Sequence, residues 1–225
     1  HGGHHMEFAQ QVIVQLRASS PLEVLALISG FGYALLAVRR DRRAWVFGAV
    51  SSASLAWLAA GARLPLQAAL QSLYVVLAVY GYRNWSRGSG QGDTRVTIGR
   101  WPARHHVWAL LAIVLGTLAL APLLARWTDA AWLRLDAAVT LGSLLATWLT
   151  ARAIFENWHY WLIVDAASFV LYFSQGLALV SVLFAVYFTI AFIGLRRWSR
   201  DAMIDAAGRD PLGVSERGSG AERDG

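Results

Sequence analysis

Residues 65–85 read PLQAALQSLYVVLAVYGYRNW, and residues 178–198 read ALVSVLFAVYFTIAFIGLRRW. Laid over one another without gaps, at an offset of 113, they match at Leu66/Leu179, Leu70/Leu183, Tyr74/Tyr187, Gly81/Gly194, Arg83/Arg196 and Trp85/Trp198. Leucine matches are cheap in an apolar chain, but charged, glycine and tryptophan matches in one register are not. The same offset carries 22–85 onto 135–198 and adds Glu23/Asp136, Arg39/Arg152, Trp45/Trp158, Leu58/Leu171 and Leu64/Leu177. A fixed period within one chain marks a duplicated structural unit, and the fold is read from that unit.

The solvent of this unit follows from composition. Of 225 residues, 56% are hydrophobic and 15% charged, with a mean hydropathy of +0.44. Soluble domains run at about 45–50% apolar and about 25% charged, so the excess apolar surface calls for a lipid bilayer. The chain has no cysteine, which rules out disulfides, thiolate nucleophiles and cysteine-based metal sites. Its net charge of +6 and pI near 10.3 are what nucleic-acid binding produces, but also what orientation bias produces in a membrane protein. The second reading is preferred, with no nucleic-acid partner. His1 to His5 read as an expression-tag remnant ahead of Met6 and are set aside, and no cleavable signal is recognised.

A span needs about 20 mostly apolar residues, and seven stretches qualify: 22–38, 44–62, 64–83, 106–125, 130–151, 157–176 and 178–196. Each repeat (22–85 and 130–198) then holds three spans. Direct succession would invert the second unit, and the span 106–125, outside the repeat, restores its orientation. The expected fold is an all-α membrane protein with a three-plus-one-plus-three arrangement of SWEET-like type. Residues 6–21 form a leader, either an interfacial helix or disordered. Residues 86–105 form a cytoplasmic linker, and 199–225, rich in Gly, Asp, Glu and Arg, a disordered tail. With alternating spans, Arg17, Arg63, Arg126 and Arg134 fall on one side and the other 16 of the 20 basic residues on the opposite side. The excess of positive charge on cytoplasmic loops puts the N-terminus outside and the C-terminus in the cytoplasm of a bacterial inner membrane. Parallel repeats about an axis along the membrane normal are a transporter architecture, with the substrate near the midplane between the halves. A duplicated scaffold with no pathway is the plainer alternative.

Polar groups inside spans locate the candidate site, because an ionisable group in hydrocarbon costs about 2.5–3.5 kcal/mol on insertion scales and needs a partner or an aqueous cavity. Asp165 lies roughly 12 Å into its span at the helical rise. Asn157, Trp161, Asp165, Ser168 and Tyr172 follow at spacings of one helical turn and share a face, which therefore turns inward. The alternative is an Asp165 that hydrogen-bonds neighbouring helices as packing glue. The third span offers Gln67, Gln71 and Tyr74, followed by Ala78, Gly81 and Trp85. Paired glutamines supply directional donors and acceptors, and Gln71 is the better placed, since Gln67 sits near the outer interface. Trp158 and Ser52, the latter repeat-related to Asp165, complete the substrate-binding set. Tyr80, Tyr82, Asn84 and Trp85 read as an interfacial aromatic belt. Glu23 and Asp136 complement helix N-termini or serve function. His105 and His106 lack partners at ligand spacing, so no metal site, cofactor or catalytic residue is expected.

A carboxylate, flat indoles and amides suit a small, planar, hydroxylated cation, which tryptophan faces attract by about 0.5–2 kcal/mol. No phosphate-binding loop or ATPase motif is present. The segment ENWHYWLIVDAASFVLYFSQGL (Glu156 to Leu177), the ending YFTIAFIGLRRW, and in the first half PLEVLALISGFGYALL with YGYRNW resemble the PnuC family of nicotinamide riboside transporters over about residues 20–200. The resemblance implies seven helices, facilitated diffusion (uniport) of a B vitamin, and its retention by a cytoplasmic kinase. Riboside carriers often have asparagine where this chain has Asp165 and Ser52. Thiamine-carrying relatives share the fold, and thiamine is also a flat cation, so both vitamins stay open. A membrane sensor or enzyme is the remoter reading. An enzyme would need a second acid, a nucleophile–base pair or metal ligands, which the spans do not offer. Self-association into a homo-oligomer is left open.

Overall fold

A computed structural model describes residues 19–88, 96–126 and 132–207. Within them the chain forms seven α-helices: α1 (Pro21–Val38), α2 (Ala44–Gly61), α3 (Pro65–Gly88), α4 (Ala103–Leu124), α5 (Leu133–Ala151), α6 (Asn157–Ser174) and α7 (Ala178–Ala207). Residues 6–18 of the leader and the end of the tail lie outside the described residues, as does the middle of the linker. The helix α7 runs on through Ser199 to Ala207, which corrects the reading of that stretch as disordered tail.

Local sequence sets the helix ends. At the start of α1 the Ser20 N–H donates to Glu23 Oε2 at 2.6 Å and Ser20 Oγ accepts from the Glu23 N–H at 3.3 Å. This reciprocal box, with Pro21 in the first turn, satisfies donors that the helix itself cannot, and it gives Glu23 a structural role. Arg40 closes α1 with φ of 60° and Ala153 closes α5 with φ of 54°; Arg63 (59°) follows α2 and Gly176 (73°) follows α6. Both pairs stand 113 residues apart, as do the limits of α2 and α6 and the starts of α3 and α7. The offset in the sequence is therefore also an offset in backbone conformation. At one of these left-handed turns the second half uses glycine, which adopts positive φ without steric cost.

Packing repeats in the same way. The helix α2 lies between α1 and α3, and α6 between α5 and α7; across the halves α3 meets α5 and α1 meets α7. The helix α4 packs chiefly on α5 and leaves Val107, Trp108, Leu111 and Leu115 exposed. Among the described residues α1, α2, α4 and α7 are long and apolar enough to cross a membrane. The other three carry polar groups such as Gln71, Thr147 and Asp165, and these belong to the interior described next.

Four buried tryptophans join the halves at the end of the bundle near the arginine-rich turns. Trp45 meets Trp85 edge-on at 5.5 Å and Trp158 meets Trp198 edge-on at 5.5 Å, while Trp85 and Trp198 lie 6.2 Å apart. Trp85 Nε1 donates to Thr150 O at 3.1 Å, and Trp198 Nε1 donates to Ala37 O at 3.2 Å. Thr150 and Ala37 are repeat-related, so each half reaches a carbonyl in the last turn of the other half's first helix. Asn84 Nδ2 adds a bond to Ala151 O at 2.9 Å. Trp85 is thus an interior residue and half-buried Asn84 an interhelical one, whereas Tyr80 and Tyr82 are exposed. Gly81 and Gly194 make room for this cluster: a Cβ at Gly81 would run into the Trp45 ring, and one at Gly194 would come within 2.5 Å of Trp158.

The end of the linker seals the same face. Gly99 N–H donates to Ala153 O and Phe155 N–H to Gly99 O, both at 2.9 Å. Buried Arg40 donates to Val96 O at 3.2 Å and pairs with Asp201 at 3.2 Å.

Candidate functional site

Above the tryptophan cluster lies a cavity of about 260 Å³ bounded by six of the seven helices, with α4 taking no part. Sixteen of its twenty lining residues form eight repeat-related pairs: Ala34/Thr147, Ala37/Thr150, Trp45/Trp158, Gly48/Trp161, Ser52/Asp165, Gln71/Phe184, Tyr74/Tyr187 and Ala78/Ala191. The cavity therefore sits on the pseudo-symmetry axis, and its chemistry comes from the pairs that have diverged. At five of the eight the second half carries the larger or charged member: Thr147, Thr150, Trp161, Asp165 and Phe184. The first half contributes small residues there, and Gln71.

The sequence-derived residues divide cleanly. Trp158, Trp161, Asp165, Gln71, Tyr74 and Ser52 line the cavity. Asn157, Ser168, Tyr172 and Gln67 do not, and each for a physical reason. Asn157 is fully buried and supports α5: its Nδ2 donates to Ile154 O at 2.6 Å and its Oδ1 stands 3.1 Å from Thr150 Oγ1. Ser168 and Tyr172 share the face of Asp165 but lie one and two turns beyond it, past the end of the cavity. Tyr172 stacks on Phe184 at 5.4 Å, and Ser168 is fully buried. Gln67 is exposed one turn outward from Gln71. Helical periodicity gives the direction of a face and not the length of the space in front of it.

Asp165 is 3% exposed, and among the described residues it makes no hydrogen bond or ion pair. Packing glue would show an interhelical partner. The Trp45 and Trp158 indole N–H groups are likewise buried without an acceptor among the described residues. Unpaired polar groups in an apolar setting cost free energy that a ligand can recover. Other liners are held firmly. Tyr74 Oη and Ser143 Oγ lie 2.6 Å apart, Thr147 Oγ1 donates to Ser143 O at 2.7 Å, and Trp161 Nε1 donates to Thr150 Oγ1 at 3.1 Å. The arrangement presents one carboxylate, one amide and several aromatic faces to the cavity.

Tyr33, Thr147, Thr150, Phe184 and Tyr187 also line the cavity and were not singled out from sequence. The offset would have led from Tyr74 to Tyr187 and from Gln71 to Phe184. Nothing in the sequence pointed to Thr147 or Thr150, whose repeat mates are alanines.

The family model described as nicotinamide mononucleotide transporter matches residues 20–200. The chain belongs to the nicotinamide mononucleotide transporter family. It is 30% identical over 132 residues to the riboflavin/roseoflavin transporter RibM of Streptomyces davaonensis, covering 57% of this chain and 61% of that protein. It is 25% identical over 157 residues to the nicotinamide riboside transporter PnuC of Escherichia coli, covering 59% of this chain and 66% of the relative. The chain thus spans less than two thirds of the length of these curated relatives. The solved structure of the vitamin B3 transporter PnuC superposes with a TM-score of 0.66 at 22% identity, over 88% of this chain and 89% of that one, a likeness of fold. The family and these relatives are transporters, not enzymes.

Proposed function

We propose that the chain is a multi-pass transporter that carries a cationic, flat-ringed vitamin, nicotinamide riboside first among them, through the cavity between its two repeats. The observation that carries this reading is Asp165: a buried carboxylate facing the cavity with no hydrogen bond or ion pair among the described residues, one turn from Trp161. A cation supplies the missing charge, the indoles stack on its ring, and Gln71, Ser52 and Tyr74 address ribose-like hydroxyls. A cavity of about 260 Å³, near the lower end of ligand pockets at roughly 300 Å³, favours a single ring with a ribose. The two halves act as parallel units of three helices joined by α4; the shared offset in helix ends and the matched α1–α7 and α3–α5 contacts support this. The arginine-rich face is cytoplasmic, the C-terminus lies there, and the membrane is the bacterial inner membrane. Passage is by uniport, because Asp165 has no chain of acidic or histidine residues through the spans of the kind proton-coupled carriers show. A cytoplasmic kinase then retains the vitamin. Uptake of labelled nicotinamide riboside into proteoliposomes tests this: entry should follow the vitamin's own gradient at equal pH on both faces, and accumulation driven by a pH gradient alone would contradict it.

A second reading, riboflavin transport, is favoured by the 30% identity to a riboflavin/roseoflavin transporter. Riboflavin is neutral and has three fused rings, so it would leave Asp165 uncompensated. Thiamine, a cation of similar size to the riboside, is the competing ligand within the first reading.

A further inference from the structure

We infer that Thr150 is a positioning residue for substrate binding, which holds the Trp161 indole in its ligand-ready orientation. The inference rests on the proposed function in that Trp161 is taken as a ligand-stacking face. The repeat itself isolates what the hydroxyl does. Thr150 and Ala37 are equivalent, both line the cavity, and both present their main-chain carbonyl to a tryptophan of the opposite half, Trp85 at 3.1 Å and Trp198 at 3.2 Å. That latch needs only backbone, since Ala37 makes it without a hydroxyl. The Thr150 side chain does something its mate cannot. Its Oγ1 accepts from Trp161 Nε1 at 3.1 Å and has Ala146 O at 2.8 Å and Asn157 Oδ1 at 3.1 Å to receive its proton. Asn157 is itself fixed by the Ile154 carbonyl, so the acceptor offered to the indole is held in place from behind. On the other half the position of Trp161 is taken by Gly48, so no indole needs an anchor there.

Trp161 is the aromatic wall that this anchor controls. Loss of this hydrogen bond removes the polar anchor of a ring otherwise held by packing alone, and a flat ligand must then fix its orientation on binding.

The experiment uses the full chain, purified in detergent and labelled with ¹⁵N-tryptophan. The Trp161 and Trp85 indole N–H cross-peaks are assigned from Trp161→Phe and Trp85→Phe. Binding of nicotinamide riboside, thiamine and riboflavin is measured by calorimetry on the same samples. Thr150→Ala should move the Trp161 cross-peak and leave that of Trp85 in place, and should weaken the vitamin that the wild type binds by about three- to tenfold. Thr150→Ser should restore both. A Trp161 cross-peak unmoved in Thr150→Ala overturns the inference. So does a Trp85 peak that moves with it, which would make Thr150 a general support, and so does unchanged affinity. A wild type that binds none of the three vitamins defeats the functional reading instead, and the cross-peaks still report whether the anchor exists.

Discussion

At the scale of single residues the central fact is an asymmetry. A duplicated chain has two copies of every cavity position, yet at one pair only the second half carries a carboxylate, Asp165 against Ser52, and at another only the second half carries an indole, Trp161 against Gly48, beside the matched Trp45 and Trp158. Divergence at these pairs turns a symmetric space into one with a charged, aromatic side and a small-residue side. Replacing Trp161 with Ala should weaken vitamin binding by about 1–3 kcal/mol, the scale on which aromatic faces hold flat rings, with calorimetry as the check. Unchanged affinity in a folded variant would return Trp161 to packing. Asp165→Asn removes the charge and keeps the shape. Charge-assisted hydrogen bonds contribute about twice as much as neutral ones, so a cationic vitamin that relies on the carboxylate should lose on the order of tenfold in affinity while neutral riboflavin changes little. Equal changes for charged and neutral ligands would make Asp165 part of the scaffold.

Among the elements, the two glycines under the tryptophan cluster give the sharpest stability test. Gly81→Ala and Gly194→Ala drive a methyl into the face of Trp45 or Trp158, and overpacking of this kind costs about 1–3 kcal/mol. At Gly61 nothing lies within 4 Å of an added Cβ, so Gly61→Ala should leave thermal stability unchanged or slightly raised. Three equal melting temperatures would contradict the cluster's packing. Here the sequence was most legible. The Trp45/Trp158, Gly81/Gly194 and Trp85/Trp198 matches are the contacting members of one repeated motif, and the apolar runs around them place every helix start to within about three residues, while the ends of α3 and α7 run 5 and 11 residues past the expected spans. What escaped were relations between helices distant in sequence. Trp85 resembled a belt residue because its position near a span end is visible, while its acceptor, the Thr150 carbonyl, is not. Periodicity places Ser168 and Tyr172 on the face of Asp165 but contains no information about where a cavity stops.

For the molecule as a whole, orientation and substrate charge carry the account. With the arginine-rich turns cytoplasmic, a reporter fused to the C-terminus should be active only on the cytoplasmic side, and activity confined to the periplasm would reverse the topology. Substrate charge is tested most directly by calorimetry on the purified wild-type chain with nicotinamide riboside, thiamine and riboflavin under one set of conditions. A buried carboxylate without a partner among the described residues, beside the indoles that line the cavity, predicts that the two cations bind and that neutral riboflavin binds at least about tenfold more weakly, the order of a single charge-assisted interaction. Riboflavin binding most tightly of the three would contradict it.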